Sequence, residues 1–258
     1  MKIQYLEQIR RYWNAHSQEY CDEHPEHLNP ALHPSWGLSH TPERELRLLP
    51  GPDRGDQLVD LGCGRGHDAI GFAKLGYQVT GVDIAEAQIA RAFAHERVRY
   101  LVGNAERLPL EPASVDVMVS DHGAFDHSLP ERLLAEAHRL LKPGSTLVIC
   151  TYSPIALSCF DPATGRIVRQ LTGPYPVDDI RSDGRTVMPF LGFSAWVRKI
   201  QTANFTAVRV EEPLFPPERR MYFDELVDPA WAAQWPVDLI MVAHRNHDRQ
   251  NEADDDAH

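Results

Sequence analysis

The chain has no long apolar run, no surplus of basic charge and no paired-cysteine motif, and each absence argues against a class of function. No uninterrupted apolar stretch in its 258 residues approaches the length of a membrane span, so no membrane partner is expected. Lys and Arg number 26 against 37 Asp and Glu, a formal net charge of −11. Such a chain repels a phosphate backbone. The short basic pairs Arg10-Arg11 and Arg219-Arg220 are not interleaved with aromatics as a base-stacking surface would be, so no nucleic-acid partner is expected either. The four cysteines, Cys21, Cys63, Cys150 and Cys159, form no C-x-x-C pair and suggest no disulfide framework. The opening residues are polar and aromatic rather than a leader pattern, and a reducing cytoplasm is the expected compartment. There is no internal repeat.

What is present is ordinary globular material, 43% hydrophobic, enough for a sizeable core in one large α/β domain. Tyr5, Ile9, Tyr12 and Trp13 recur at helical spacing near the start. T-P-E-R-E-L-R-L-L predicts a short helix with Thr41 as N-cap and Pro42 at its first position. From residue 57 strands and helices alternate. Q-L-V-D-L, Y-Q-V-T-G-V, V-R-Y-L-V, S-V-D-V-M-V-S and T-L-V-I-C-T read as strands. The stretches between them read as helices, including A-E-A-Q-I-A-R-A-F-A and one with a capping box from Ser128 to Glu131. Alternation at this spacing means parallel strands joined by right-handed crossovers. Residues 152–192, rich in Pro and Gly with two strand-like pieces, break the rhythm and predict an insertion capping the sheet. A helix carrying Phe193, Trp196, Val197 and Ile200 and two further strands close the chain.

The stretch V-D-L-G-C-G-R-G places Gly62, Gly64 and Gly66 two residues apart after the first strand. It is neither the G-x-G-x-x-G of a dinucleotide loop nor a P-loop. Asp83 ends the second strand, where a carboxylate can accept hydrogen bonds from both hydroxyls of a ribose; a dinucleotide enzyme also has an acid there, so this alone does not discriminate. The third strand ends in G-N-A-E-R-L-P. Taken in order, D-L-G-C-G-R-G, G-V-D-I, G-N-A-E-R-L-P-L-E-P-A-S-V-D-V-M-V-S and L-L-K-P-G-S-T-L-V-I resemble the class I S-adenosylmethionine-dependent methyltransferases, over roughly residues 55–150. H-P-S-W-G-L-S-H-T-P-E-R-E-L and the W-V-R-K-I and W-P-V-D-L-I-M segments extend the resemblance toward its small-molecule enzymes.

That resemblance implies a Rossmann-like fold: a seven-stranded, mostly parallel sheet in the order 3-2-1-4-5 with strands six and seven added, the last antiparallel. Helices would cover both faces under an N-terminal lid. It implies S-adenosylmethionine as cofactor, with Asp60 in the first strand, Gly62, Cys63 and Gly64 under the methionine and ribose, Asp83 on the ribose and Ile84 against adenine. Asn104, where the family usually has Asp, would face the adenine edge with Ala105 and Glu106; an amide keeps an acceptor oxygen and adds donors. Ala85 stands where a Ser or Thr cap is common. Asp121 would either orient the cofactor amine or cap its loop, and the segment Asp121 to Phe125 would lie beside the reactive methyl.

Only an acceptor that must lose a proton needs a base. His122, His127 and His40 are the candidates, His122 first by position, although most of the thirteen histidines in a chain like this are surface or structural. Among the aromatics Tyr12, Trp13, Tyr20 and Trp36, helical spacing suits a core, and the resemblance suits a lid, with Trp36 assigned to the cofactor. Tyr152, Phe160, Tyr175, Phe190, Phe193 and Trp196 are expected to shape a partly apolar acceptor pocket. His24, His27 and His33, and Asp121, His122, Asp126 and His127, cluster without matching a metal signature, and no metal site is expected. The expected organisation is a lid over 1–50, a methyltransferase domain over 51–245 with its cap at 152–192, and an acidic, disordered tail over 246–258. The expected function is O- or N-methylation of a small molecule by a monomer or homodimer. A non-catalytic cofactor-binding regulator, or an enzyme of other chemistry or with a macromolecular substrate, is the alternative.

Overall fold

Runs of Val, Leu and Ile too short for helices and bounded by turns become seven strands. They are β1 (Gln57–Leu61), β2 (Gln78–Asp83), β3 (Val98–Val102), β4 (Val115–Asp121), β5 (Leu141–Tyr152), β6 (Phe205–Glu211) and β7 (Asp238–Arg245). The computed structural model describes residues 4–25, 29–30, 34–53, 55–182, 186–216 and 218–247. The strands form one sheet in the order β6-β7-β5-β4-β1-β2-β3. β1, β2, β3, β4 and β5 run parallel, and β7 lies antiparallel between β5 and β6. This is the expected topology. The order reverses between β1 and β4, which opens a crevice at their carboxyl ends.

The two-residue period of the strands divides the core between the faces of the sheet. Met118, Leu147, Ile149, Leu239 and Met241 meet the helices α3 (Pro130–Leu140) and α4 (Phe193–Thr202) through Leu133, Leu134, Trp196 and Ile200. Val117, Val119, Val148, Ile240 and Val242 point the other way, onto Phe72 and Ala69 of α2 (His67–Leu75). The N-terminal helix, α1 (Gln4–Glu23), lies apart from both faces and packs on the single turn Glu86–Ile89 beside β2. There the Asn14 side chain accepts from the Ala87 N–H at 2.9 Å and donates to Glu86 at 2.7 Å.

Local chemistry explains where elements differ from expectation. The helix expected over 85–94 shrinks to Glu86–Ile89, and beyond it the chain turns so that the Phe93 N–H donates to Arg65 O at 3.0 Å. Thr41 and Pro42 do not open a helix. They pair with Ser35–Trp36 as a short hairpin, and the turn Glu43–Leu46 ends at Arg47, whose φ is +53°. The Ser128 capping box does not form; Pro130, with its preset φ, takes the first position of α3, and Glu131 pairs with Lys199 instead. In the insertion, Arg166–Ile167 and Val187–Leu191 are the strands, paired with Phe160–Asp161 and Asp178–Ser182, and the turn Pro154–Cys159 is capped by the Ser153 hydroxyl. Phe215, Met221, Phe223, Val227 and Trp231, between β6 and β7, join Ala156, Cys159 and Ile167 in a third cluster that also holds Leu38. Among the described residues no helix is long and apolar enough to cross a membrane. The tail expected over 246–258 lies outside the described residues from 248 onward.

Trp36 is fully enclosed in the cluster with Leu58 and Phe72, its indole N–H donating to Glu43 at 2.5 Å. Trp36→Ala is therefore expected to destabilise the fold by about 3–5 kcal/mol, read as a lower urea midpoint. A midpoint unchanged from the parent chain would mean the ring is not part of the core.

Candidate active site

The site begins where β1 runs into its glycines. Gly62 has φ +81°, and a Cβ there would stand 2.5 Å from the Ala124 nitrogen, so only glycine lets this loop pass under the one that follows β4. The Gly62 and Cys63 N–H groups both donate to Val82 O, at 2.8 and 3.0 Å, which ties the loop to the end of β2. The Gly64 N–H donates to one oxygen of Asp83 at 2.9 Å and the Ala85 N–H to the other at 2.8 Å. Burial pushes the Asp83 carboxyl above its usual range, and these backbone donors, with Ile84, pull the other way. Among the described residues no cation pairs with it.

A cavity lies over the carboxyl ends of β1, β2 and β4. Leu6, Ile9, Trp13 and Tyr20 of α1 roof it. The sequence-predicted residues Gly62, Gly64, Asp83, Ile84, Asn104, Ala105, Asp121, His122 and His127 all line it. The Asn104 side chain accepts from the Glu106 N–H at 2.9 Å, bracing the turn after β3.

Five expected site residues do not line it. Asp60 and Cys63 are buried beneath the loop. Glu106 turns its carboxylate to the Tyr5 hydroxyl and, at 3.1 Å, to Arg132. Trp36 is in the core below, so the assignment of its ring to the cofactor is corrected: the hairpin it anchors instead brings Gly37 and Leu38 to the cavity. His40 is buried, with its ring 4.8 Å from that of Tyr222 and Nδ1 3.2 Å from the Ser35 hydroxyl, and is not placed to serve as a base. The aromatics expected to shape an acceptor pocket are elsewhere too. Trp196 packs on Phe125 in the main core, Tyr152 packs on His122, and Tyr175 is exposed; Phe160, Phe190 and Phe193 do not reach the cavity.

His122 shows the largest departure. Its Nδ1 lies 2.8 Å from Asp126 and its Nε2 3.0 Å from Asp238. Burial alone would lower the imidazole, but the two carboxylates outweigh it and push His122 well above its ordinary value. With both nitrogens donating to carboxylates there is no lone pair to take a proton, so His122 is a fixed cation and not a base. Asp238 also accepts from the N–H groups of Leu38 and Ser39, each at 3.0 Å, and from the Ser39 hydroxyl at 2.6 Å. Asp126 accepts from the Thr151 hydroxyl. Asp121, next to His122, accepts from the Gly37 N–H at 2.9 Å. Burial, with the Asp68 charge adding to it, pushes the Asp121 carboxyl up to about 7.

Asp121, His122 and Cys150 bring three ligand-type atoms within 4.8 Å of one another, yet both imidazole nitrogens are already committed to carboxylates. Of the other histidine cluster, His24 meets Glu225 at 3.8 Å, and His27 and His33 lie outside the described residues. Sequence reasoning missed Asp238, His67, Asp68 and Phe223. Asp238 had a signal, a lone carboxylate inside the apolar run W-P-V-D-L-I-M. His67 and Asp68, which line the cavity 3.2 Å apart, stand directly after the glycine loop. Phe223 had none, because its segment reads as a polar connection.

The His122 link makes stability depend on pH in a definite sense. Burial would raise Asp238, but His122 and the Ser39 and Leu38 donors hold it below its usual range. Its contribution is present above about pH 4 and lost as pH falls through that lowered value. The His122 contribution is complete below about pH 6.5 and lost as pH rises through its raised value. His122→Ala should therefore destabilise by about 3–5 kcal/mol between roughly pH 4 and 6.5, with the gap to the parent chain closing toward alkaline pH. Urea unfolding of both proteins from about pH 4 into the alkaline range is the check, and a gap that widens with pH would contradict the link.

Comparison with known proteins accords with this geometry. Residues 59–149 match a family model described as a methyltransferase domain. The malonyl-[acyl-carrier protein] O-methyltransferase of Pectobacterium atrosepticum is 35% identical over 127 residues, 48% of this chain and 49% of that protein. A ubiquinone/menaquinone biosynthesis C-methyltransferase of Rubrivivax gelatinosus is 32% identical over 149 residues, 57% of each chain. The matched part thus spans about half the length of these curated relatives. The crystal structure of an S-adenosylmethionine dependent methyltransferase from Mesorhizobium loti superposes with a TM-score of 0.65 at 25% identity, covering 81% of this chain and 100% of that one.

Proposed function

We propose that this chain is a class I S-adenosylmethionine-dependent methyltransferase that moves a methyl group from S-adenosylmethionine to a small, partly apolar acceptor and releases S-adenosylhomocysteine, a reading supported by the matches over its central part. The observation that carries the reading is Asp83. It is a half-buried carboxylate in the cavity wall, held from behind by backbone N–H groups of the glycine loop and of its own turn, and without a cation among the described residues. Two ribose hydroxyls suit the acceptor capacity that remains to it. Ile84 would pack on adenine, with Asn104 and Ala105 along its edge. At the other end Asp121, raised to about 7 by burial and Asp68, is suited to an ammonium group, whose charge favours the ionised carboxylate.

When bound, the cofactor supplies an electrophilic methyl on a sulfonium. The protein's part is alignment and the exclusion of water. Residues 1–50 serve as a lid, with α1 over the cavity. Residues 51–245 serve as the methyltransferase domain, and the insertion at 152–192 as its cap together with the segment between β6 and β7. His122 keeps its proton and holds the loop after β4 in place. For an acceptor that must lose a proton, His127 lines the cavity and is the histidine placed to take it. The net charge of −11 and four unpaired cysteines support a cytoplasmic enzyme acting on a small molecule rather than nucleic acid, as a monomer or homodimer.

Asp83→Ala is expected to weaken S-adenosylhomocysteine binding by at least about 100-fold in calorimetry, and the parent chain to bind it in the micromolar range or tighter. Failure of the parent chain to bind would remove the proposal. With a hydroxyl acceptor in hand, His127→Ala should lower kcat by about 100-fold or more and abolish the acid limb of the pH profile. Retention of that limb would place the base elsewhere.

A further inference from the structure

Five rings run in a row along the part of the cavity away from Asp83. His127 meets Trp13 edge-on with centroids 5.5 Å apart, Trp13 meets Tyr20 at 5.7 Å, Tyr20 meets His24 at 4.8 Å and His24 meets Phe223 at 4.8 Å. His127, Trp13, Tyr20 and Phe223 line the cavity, and His24 braces Tyr20 against Phe223 from outside it. The row draws on the loop after β4, on α1 and on the segment between β6 and β7, and α1 holds two of its lining rings one above the other at a seven-residue spacing. Such a wall offers aromatic faces and edges, which take another ring stacked or edge-on, with little to satisfy hydrogen bonds.

The charges around the row have one sign. Asp68 and Asp121 line the cavity, and Glu225 sits behind His24. Their combined field adds to burial in pushing the Tyr20 hydroxyl up. Among the residues that line the cavity, Arg65 is the one Lys or Arg. Its guanidinium is taken up at the glycine loop, lying 4.9 Å from the centre of the Phe93 ring and donating to Arg91 O at 3.2 Å. The cation His122 is already matched by two carboxylates.

Building on the methyltransferase reading, we infer that the acceptor is a flat aromatic or heteroaromatic molecule without carboxylate or phosphate, seated against Trp13, Tyr20 and Phe223 with its reacting atom toward His127. A neutral ring gains the apolar wall, and a protonated amine on it gains the ring faces and the field of Asp68. An anionic substituent meets like charge in a poorly solvated space.

The test loads the full chain with S-adenosylhomocysteine and titrates three probes of one shape: 2-naphthol, 2-naphthylamine and 3-hydroxy-2-naphthoate. Naphthol and naphthylamine should saturate the protein, and the naphthoate should bind about tenfold or more weaker. Asp68→Asn should bring the naphthoate to within about threefold of naphthol. Trp13→Leu, which keeps apolar volume but not the ring, should weaken naphthol about tenfold or more while S-adenosylhomocysteine still binds. A naphthoate that binds as tightly as naphthol, or an absence of binding by either neutral ring to the loaded protein, would overturn the inference. If S-adenosylhomocysteine itself fails to bind, it is the methyltransferase reading that fails, and this inference falls with it.

Discussion

One imidazole between two carboxylates holds the working end of this molecule together. His122 joins Asp126, four residues along its own loop, to Asp238 at the start of β7, 116 residues away. Asp238 in turn gathers Leu38 and Ser39 from the N-terminal segment. A buried carboxylate is costly unless paired and hydrogen-bonded, and a buried cation likewise. Here each is satisfied by the others, so none can leave without stranding the rest. The consequence is geometric: a loop, a strand end and a chain segment that are remote in sequence are fixed at one edge of the cavity. His122 itself is held at φ +43°, which an ordinary side chain adopts only where its surroundings insist.

The second fixed edge is the glycine loop. It needs no ion pair. Gly62 lies so close to the loop after β4 that no side chain fits between them, and the N–H groups of the loop go to Val82 and Asp83. The result is a carboxylate held from one side and open on the other, opposite an end dominated by Asp121 and the fixed His122. Between these edges the floor is rigid strand termini. The roof is α1, attached by polar contacts such as Asn14 with Glu86 and Ala87, and Tyr5 with Glu106. Contacts of that kind are individually weak, in contrast to the apolar packing beneath the floor.

Much of this was legible in the residues. Short apolar runs between turn signals assigned all seven strands in order, with ends close to those observed except at the start of β5, which begins at Leu141 rather than Thr146. The glycine spacing, with Asp83 after the next strand, pointed to residues that line one end of the cavity. Capping signals were less dependable. Ser128 lost to Pro130, and Thr41 lost to a hairpin, because a proline two residues on and a pairing partner five residues back each outweigh a single side-chain hydrogen bond. The insertion aromatics expected around an acceptor pack elsewhere, and Phe223, from a segment with no regular pattern, lines the cavity.

By itself, then, the sequence determined the sheet, its two apolar faces and the loop that names the methyl donor, since all three depend on residues close together in the chain. The tertiary structure alone decided the roles of the ionisable groups. A histidine beside an expected reactive methyl reads as a base from its position and ordinary proton affinity. It becomes a fixed cation only once the fold sets Asp238 against its other nitrogen, and nothing local in the chain announces that partner. Trp36 followed the same rule in reverse: the family resemblance suggested a lid, and enclosure by Leu58 and Phe72 made it core.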